Sequence, residues 1–196
     1  MTMVPLFAGA MFASALLLFW VQPMFTKAVL PLLGGTPAVW NTALVFFQAA
    51  LLLGYLYAHV SSRWLSVRSQ AVLHLGLLAV AMLLVLPVRV PPGWQPSATG
   101  TPALDLLGLL SVSLGLPFVA LSATAPLLQR WFSRTDIAGS EDPYFLYAAS
   151  NLGSMAALIG YPFVLEPRMG LAAQHSLWSV GYVLIGLLIA GAARAA

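Results

Sequence analysis

The chain has 196 residues, of which 61% are hydrophobic and only 7% are charged, and its formal net charge is +3. A soluble domain needs about 25% charged residues to cover its surface, so this composition excludes an ordinary soluble protein. The absence of cysteine excludes disulfides and thiolate metal sites. The small basic excess fits loops beside anionic lipid headgroups, and without a basic cluster it does not indicate nucleic-acid binding.

The apolar residues occur in runs long enough to cross a lipid bilayer, which takes about 20 helical residues. Runs of this length without alternation predict helices and exclude barrel strands. We therefore expect an all-α, polytopic membrane helix bundle of about six spans, with residues 1–196 forming a single integral membrane domain. The predicted spans are Leu6 to Met24, Ala38 to Val60, Gln70 to Val88, Leu104 to Leu128, Tyr144 to Leu165 and Leu177 to Ala193.

The first apolar run has the length of a secretory signal or of a retained helix. Nothing basic precedes it, and it continues into Gln22, Pro23 and Lys27 without a clear cleavage site, which favours a retained membrane helix. Pro23 is expected to end or kink this helix, as is Pro126 in the fourth span. Lys27 is then either a snorkelling lysine or part of a bent segment that holds its ammonium at a cavity mouth.

Polar side chains in the second span repeat at helical spacing. At 100° per residue they fall within an arc of about 40°, so they form one stripe. A polar side chain is costly in hydrocarbon unless it is paired or faces a cavity, so we expect this stripe to turn inward and not toward lipid. Its members are Asn41, Gln48, Tyr55 and His59.

The fifth span carries a second polar stripe, spread over roughly 100°. Its members are Tyr144, Tyr147, Asn151, Ser154 and Tyr161. Two interpretations stay open: the stripes line a cavity for a small polar or cationic molecule, or they bond each other across a helix interface at about 0.6 kcal/mol per bond. The candidate cavity residues are Gln22, Lys27, Asn41, Gln48, Tyr55, His59, Tyr147 and Asn151.

The remaining ionisable residues do not form a catalytic set. His59 and His74 lie near the predicted ends of spans, where both are expected to be interfacial, and they lack partners at metal-ligand spacing. Glu166 is expected to pair with Lys27 or with Arg168. No GxSxG, HExxH or GxxxxGK[ST] motif occurs. The sequence therefore predicts no metal site, no cofactor and no catalytic residue, and membrane-embedded catalysis ranks last among the possible functions.

The positions of lysine and arginine orient the bundle. One side carries Arg63, Arg68, Arg130, Arg134 and Arg194, and the other carries Lys27, Arg89 and Arg168. The more basic side also holds both termini when the number of spans is even. We therefore expect a multi-pass protein of the bacterial inner membrane with both termini in the cytoplasm.

Two separated blocks of the sequence resemble a known family. The first contains LPLLGGTPAVWN at 30–41 and GYLYAH at 54–59, and the second contains APLLQRWF at 125–132 and DPYFLYAASNLGS at 142–154. Both are similar to the amino-terminal membrane region of the spermidine-synthase-like membrane proteins, which are related to polyamine aminopropyltransferases.

The resemblance implies a transporter-like membrane region joined to a cytoplasmic Rossmann-type domain that uses decarboxylated S-adenosylmethionine. The sequence ends directly after the sixth predicted span, so this soluble domain is expected to be absent and no aminopropyl transfer is assigned to the chain. We interpret the chain either as a natural half whose partner is encoded separately or as a truncated sequence.

The function expected is recognition or movement of a small polar or cationic metabolite. The alternative is a membrane anchor for a soluble synthase-like partner. Six helices are few for an alternating-access transporter built from repeats, so a second membrane half or a homo-oligomer is expected in addition to the lipid bilayer.

Overall fold

The computed structural model describes residues 3–137 and 139–194. Six of its helices are long and apolar enough to cross a membrane, which confirms the all-α bundle and indicates a multi-pass membrane protein. No β-strand occurs within the described ranges. We label the helices α1 (Met3–Leu32), α2 (Pro37–Trp64), α3 (Val67–Val85), α4 (Pro102–Phe132), α5 (Tyr144–Arg168) and α6 (Leu171–Ala193).

Prolines do not end the spans in which they lie. Of the two outcomes expected at Pro23, an end or a kink, the structure excludes the end, because α1 stays α-helical to Val29 and finishes with a 3₁₀ turn. Phe25 and Val29, beyond the proline, are fully buried, so tertiary packing maintains the helix where one backbone hydrogen bond is lost. The fourth span likewise continues through Pro126.

Two helices widen into a π turn beside a proline. In α4 the π turn covers Ser111–Gly115 and ends two residues before Pro117, and in α5 it covers Tyr161–Leu165, which includes Pro162. A proline ring crowds the carbonyl four residues before it and offers no N–H, so a wider turn relieves the crowding without ending the helix. Turns of this kind occur frequently at functional sites.

The bundle is built around α1 and α4. Helix α1 packs chiefly on α5, α6 and α4, whereas α4 packs chiefly on α2, α3 and α1; α3 and α6 also contact each other. Exchanging α1 with α4, α2 with α5 and α3 with α6 leaves this pattern unchanged. The main helix contacts are therefore related by exchanging two three-helix units, α1–α3 and α4–α6.

A glycine in each unit brings its second helix against the first helix of the other unit. A Cβ on Gly153 of α5 would lie directly against the Phe12 carbonyl oxygen of α1 and 3.0 Å from the carbonyl carbon. A Cβ on Gly54 of α2 would meet the Ser122 hydroxyl of α4 and would lie 2.8 Å from the Val119 carbonyl oxygen. At both contacts the helices are so close that only a residue without a side chain fits between them unchanged.

Candidate functional site

A cleft of about 480 Å³ opens at one end of the bundle, where α1 and α5 end and α2 begins. Three helices supply its walls, because each brings its terminal turns to this end. The lining residues are Pro23, Lys27 and Leu30 from α1, Trp40 from α2, and Leu158, Tyr161, Pro162 and Glu166 from α5.

An ion pair lies in this cleft. The Lys27 ammonium contacts the Glu166 carboxylate, so of the two partners that the sequence left open for Glu166, the structure selects Lys27. Arg168 instead donates to the carbonyl oxygens of Phe163 at 2.9 Å and Val164 at 3.2 Å. The paired side chains are 46% and 36% exposed, and exposed pairs contribute at most about 1 kcal/mol to stability. Stabilisation of the fold is therefore not the main role of this ion pair.

Tyr161 places a polar atom without a partner in the wall of the cleft. Its side chain is only 4% exposed, and within the part of the chain that is described its hydroxyl forms no hydrogen bond. A buried hydroxyl left unpaired costs about 1–3 kcal/mol. A π turn begins at Tyr161 and contains Pro162. The hydroxyl oxygen itself is buried, so a polar ligand in the cleft would satisfy it only if the side chain turned toward the cleft.

The α2 stripe lies on the outside of the bundle. All four of its side chains, Asn41, Gln48, Tyr55 and His59, are exposed. The face of α2 that packs on α4 consists instead of apolar and small residues, among them Phe47, Ala50 and Gly54. The expectation that this stripe turns inward is therefore wrong within one copy of the chain, because the small residues permit the closer helix contact.

The α5 stripe is divided between the surface and the cleft. Tyr144 and Tyr147 are 73% and 49% exposed and Asn151 is also exposed, whereas Tyr161 is buried. At 100° per residue, Tyr147 and Asn151 lie within about 20° of Leu158, which lines the cleft. The exposed part of the stripe therefore continues the cleft wall along α5.

Both stripes lie next to residues that line the cleft. At 100° per residue, the four members of the α2 stripe lie about 60–100° around the helix from Trp40. We therefore assign both stripes to the outer side of the bundle beside the cleft. We call this side the α2–α5 face. It comprises the α2 stripe with Trp40 and the exposed α5 residues Tyr144, Tyr147, Asn151 and Leu158.

The candidate residues on α1 have different environments. Lys27 lies in the cleft, as described. Gln22 is half-buried, and its Nε2 donates to the Leu18 carbonyl oxygen of its own helix at 3.1 Å. The structure thus brings most of the candidate residues to one open face, but it does not enclose them in a cavity within one copy.

Sequence reasoning missed a pair of buried polar contacts between α3 and α4. Trp131 Nε1 donates to Gln70 Oε1 at 3.2 Å, and His74 Nε2 bonds Thr124 Oγ1 at 3.2 Å. Because the Thr124 hydroxyl donates to the Ala120 carbonyl oxygen at 3.0 Å, the histidine N–H is the donor to threonine. These side chains have no exposed area, so the expectation of an interfacial His74 is wrong.

The sequence does carry a signal for these contacts. Gln70 and His74 are four residues apart, which places them on one face of α3. Helix α3 begins at Val67, before the predicted start at Gln70, so His74 lies deeper in the span than expected. The contacts fix α3 on α4 and are structural.

The described residues contain no group of three or more histidine, aspartate or glutamate side chains placed to hold a metal ion. The chemistry that can be assigned to the cleft is therefore that of an ion pair, a phenol and an indole. No family model matches the chain, and no curated protein or solved structure shows significant similarity to it. The resemblance to the spermidine-synthase-like membrane proteins stays a prediction.

Proposed function

We propose that this chain is a transporter-like membrane module that binds and moves a small metabolite carrying an ammonium group, and that the cleft between α1, α2 and α5 is its binding site. The observation that carries the proposal is the Lys27–Glu166 pair beside the unpartnered Tyr161 hydroxyl in an open cleft.

The ion pair supplies a means of recognition by exchange. An incoming ammonium competes with Lys27 for the Glu166 carboxylate, so binding of the ligand opens the existing pair. Trp40, which is 41% exposed in the same cleft, offers an indole face to the cation. Once its side chain turns toward the cleft, the Tyr161 hydroxyl offers a hydrogen bond to a second polar group of the ligand.

Two further features support a role in transport. The main helix contacts stay the same when the two three-helix units are swapped. In transporters built from such repeats, the substrate binds where the repeats meet. The predicted resemblance to a polyamine-related family also favours a ligand with ammonium groups. We place the protein in the bacterial inner membrane with both termini in the cytoplasm, so the Lys27 end of the bundle would be periplasmic.

A thermal-shift titration of the purified protein in nanodiscs tests the site. The probe is 1,4-diaminobutane, and 1,4-butanediol is a control of the same length without charge. A ligand at one hundred times its Kd stabilises a folded protein by about 2.7 kcal/mol. We expect the diamine to raise the melting temperature of the unsubstituted protein and the diol to have no effect.

Two substitutions should change the affinity in opposite directions. Glu166→Gln removes the acceptor charge at constant volume and should abolish the diamine effect, whereas Lys27→Met removes the competing cation and should strengthen diamine binding. Asp105→Asn is the matched control, because Asp105 is an acidic residue outside the cleft. Equal stabilisation of all four proteins would refute the assigned site, and a module that only anchors a soluble partner would give no stabilisation in any of them.

A further inference from the structure

The α2–α5 face exposes polar side chains at the depth of the membrane. Tyr55 and Tyr147 are 48% and 49% exposed, and Gln48 and Asn151 are also exposed near the middle of their helices. Lipid offers these groups no hydrogen bonds, so each unpartnered amide or phenol at this depth is unfavourable. The face therefore requires a cover that can form hydrogen bonds.

The position of this face follows from the repeat. On the opposite side of the bundle, the equivalent helices α3 and α6 pack on each other. Helices α2 and α5 are also equivalent, but each packs mainly on the central helices and not on the other. The bundle is thus closed on the α3–α6 side and open on the α2–α5 side.

We propose that a second copy of this chain covers the α2–α5 face, related to the first by a two-fold axis along the membrane normal. This rotation places α2 of one copy against α5 of the other, and the reverse. The interface is then isologous, with the same residues contributed twice.

The chemistry of the stripes fits a second copy. Asn41, Gln48 and Asn151 are amides, which both donate and accept, and the phenols of Tyr55 and Tyr147 do the same. Such groups can bond to their own kind, and because these five side chains carry no charge, they cause no like-charge repulsion between two copies. The second copy would also close the side of the cleft between Trp40 and Leu158. The pairing does not depend on whether the cleft binds an ammonium.

Cysteine cross-linking tests the pairing, because the chain has no cysteine of its own. Leu52→Cys lies one turn after Gln48 on α2, and Met155→Cys lies one turn after Asn151 on α5; these side chains are 66% and 51% exposed. The two variants are co-expressed with different tags and treated in native membranes with a short bis-maleimide. We expect a cross-linked pair that carries both tags.

The control pair lies on the other side of the bundle. Leu83→Cys on α3 and Leu187→Cys on α6 are at least as exposed, at 78% and 66%, but they lie outside the proposed interface. We expect several-fold less cross-linking from this pair. Equal cross-linking of both pairs, or products from Leu52→Cys alone without mixed products, would refute the two-fold pairing of α2 with α5.

A second measurement addresses the strength of the dimer. Gln48→Leu combined with Asn151→Leu removes two polar groups from each copy, hence at least two bonds from the interface. At about 0.6 kcal/mol for each bond, or roughly threefold, the dissociation constant should rise by at least about eightfold. Single-molecule fluorescence in liposomes at decreasing protein density measures this constant, and Ser176→Leu, an exposed polar residue on α6, is the control.

The outcomes separate this inference from the proposed function. A protein that is monomeric at every density overturns the dimer, even if it still binds 1,4-diaminobutane. A stable dimer that does not respond to the diamine overturns the ligand instead. Dimerisation unaffected by the Gln48→Leu and Asn151→Leu substitutions overturns the role of the stripes.

Discussion

Replacing Gly153 by alanine tests the closest helix contact in the bundle. Helix α5 packs more extensively on α1 than on any other helix, and Gly153 lies against the backbone of Phe12. The added methyl group would meet the Phe12 carbonyl oxygen, with the carbonyl carbon at 3.0 Å and the Cα atom at 3.1 Å. All three are backbone atoms, so no side chain can rotate away to make room.

The cost follows from the shift that the helices must undergo. To restore ordinary carbon–oxygen contact, α5 must move away from α1 by on the order of 1 Å, and overpacking of this kind costs about 1–3 kcal/mol. Alanine has a higher helix propensity than glycine, which offsets up to about 1 kcal/mol of this cost. We therefore expect a net loss of about 1–2 kcal/mol, and at 2–4 °C per kcal/mol the melting temperature should fall by roughly 2–8 °C.

Tryptophan fluorescence during heating in detergent measures this change, and two glycines provide controls. Gly9 on α1 and Gly160 on α5 are also helical, but a Cβ at either position would have no atom within 4 Å. Gly9→Ala and Gly160→Ala should leave the melting temperature unchanged or raise it slightly. If Gly153→Ala has the same melting temperature as these controls, α5 does not approach α1 as described, and the residues assigned to the α2–α5 face are wrong.

Two further substitutions test the contacts of α4. Gly54→Ala should destabilise the protein less than Gly153→Ala does, because one of the crowded atoms is the Ser122 hydroxyl, which can rotate. In a double-mutant cycle, adding Ser122→Ala should restore part of the lost stability. Trp131→Phe leaves Gln70 Oε1 without its donor and should lower stability by about 0.6–1.7 kcal/mol. The same melting measurement checks both, and an unchanged melting temperature for Trp131→Phe would contradict the buried contact.

Hydropathy was sufficient to predict the number and order of the spans, because lipid requires long apolar helices whatever their neighbours are. It could not predict where they end. Helix α6 begins at Leu171, well before the predicted start at Leu177, because Gln174 and His175 interrupt the apolar run. Both residues are nonetheless buried, and Gln174 Nε2 donates to the Met169 carbonyl oxygen at 2.8 Å. A local hydropathy pattern contains no information about such contacts.

The candidate site shows a similar division. Spacing alone correctly grouped Gln48 with Tyr55 and Tyr147 with Asn151, because helical geometry determines which residues share a face. It could not tell which way that face points. The pairing of Lys27 with Glu166 joins residues 139 positions apart, and the choice between Lys27 and Arg168 depends on how the helix ends meet.

The inside and outside of α2 and α5 are decided by their small residues and not by their polar ones. Gly54 and Gly153 each fix one face of a helix against a central helix, and the polar stripe then lies on the remaining surface. The same division occurs in both three-helix units, although the residues differ. Because α2 and α5 differ in sequence and still share this arrangement, we infer that the architecture requires it. Each helix has one face that packs within its own bundle. The other face carries polar side chains, to which lipid offers no hydrogen bonds.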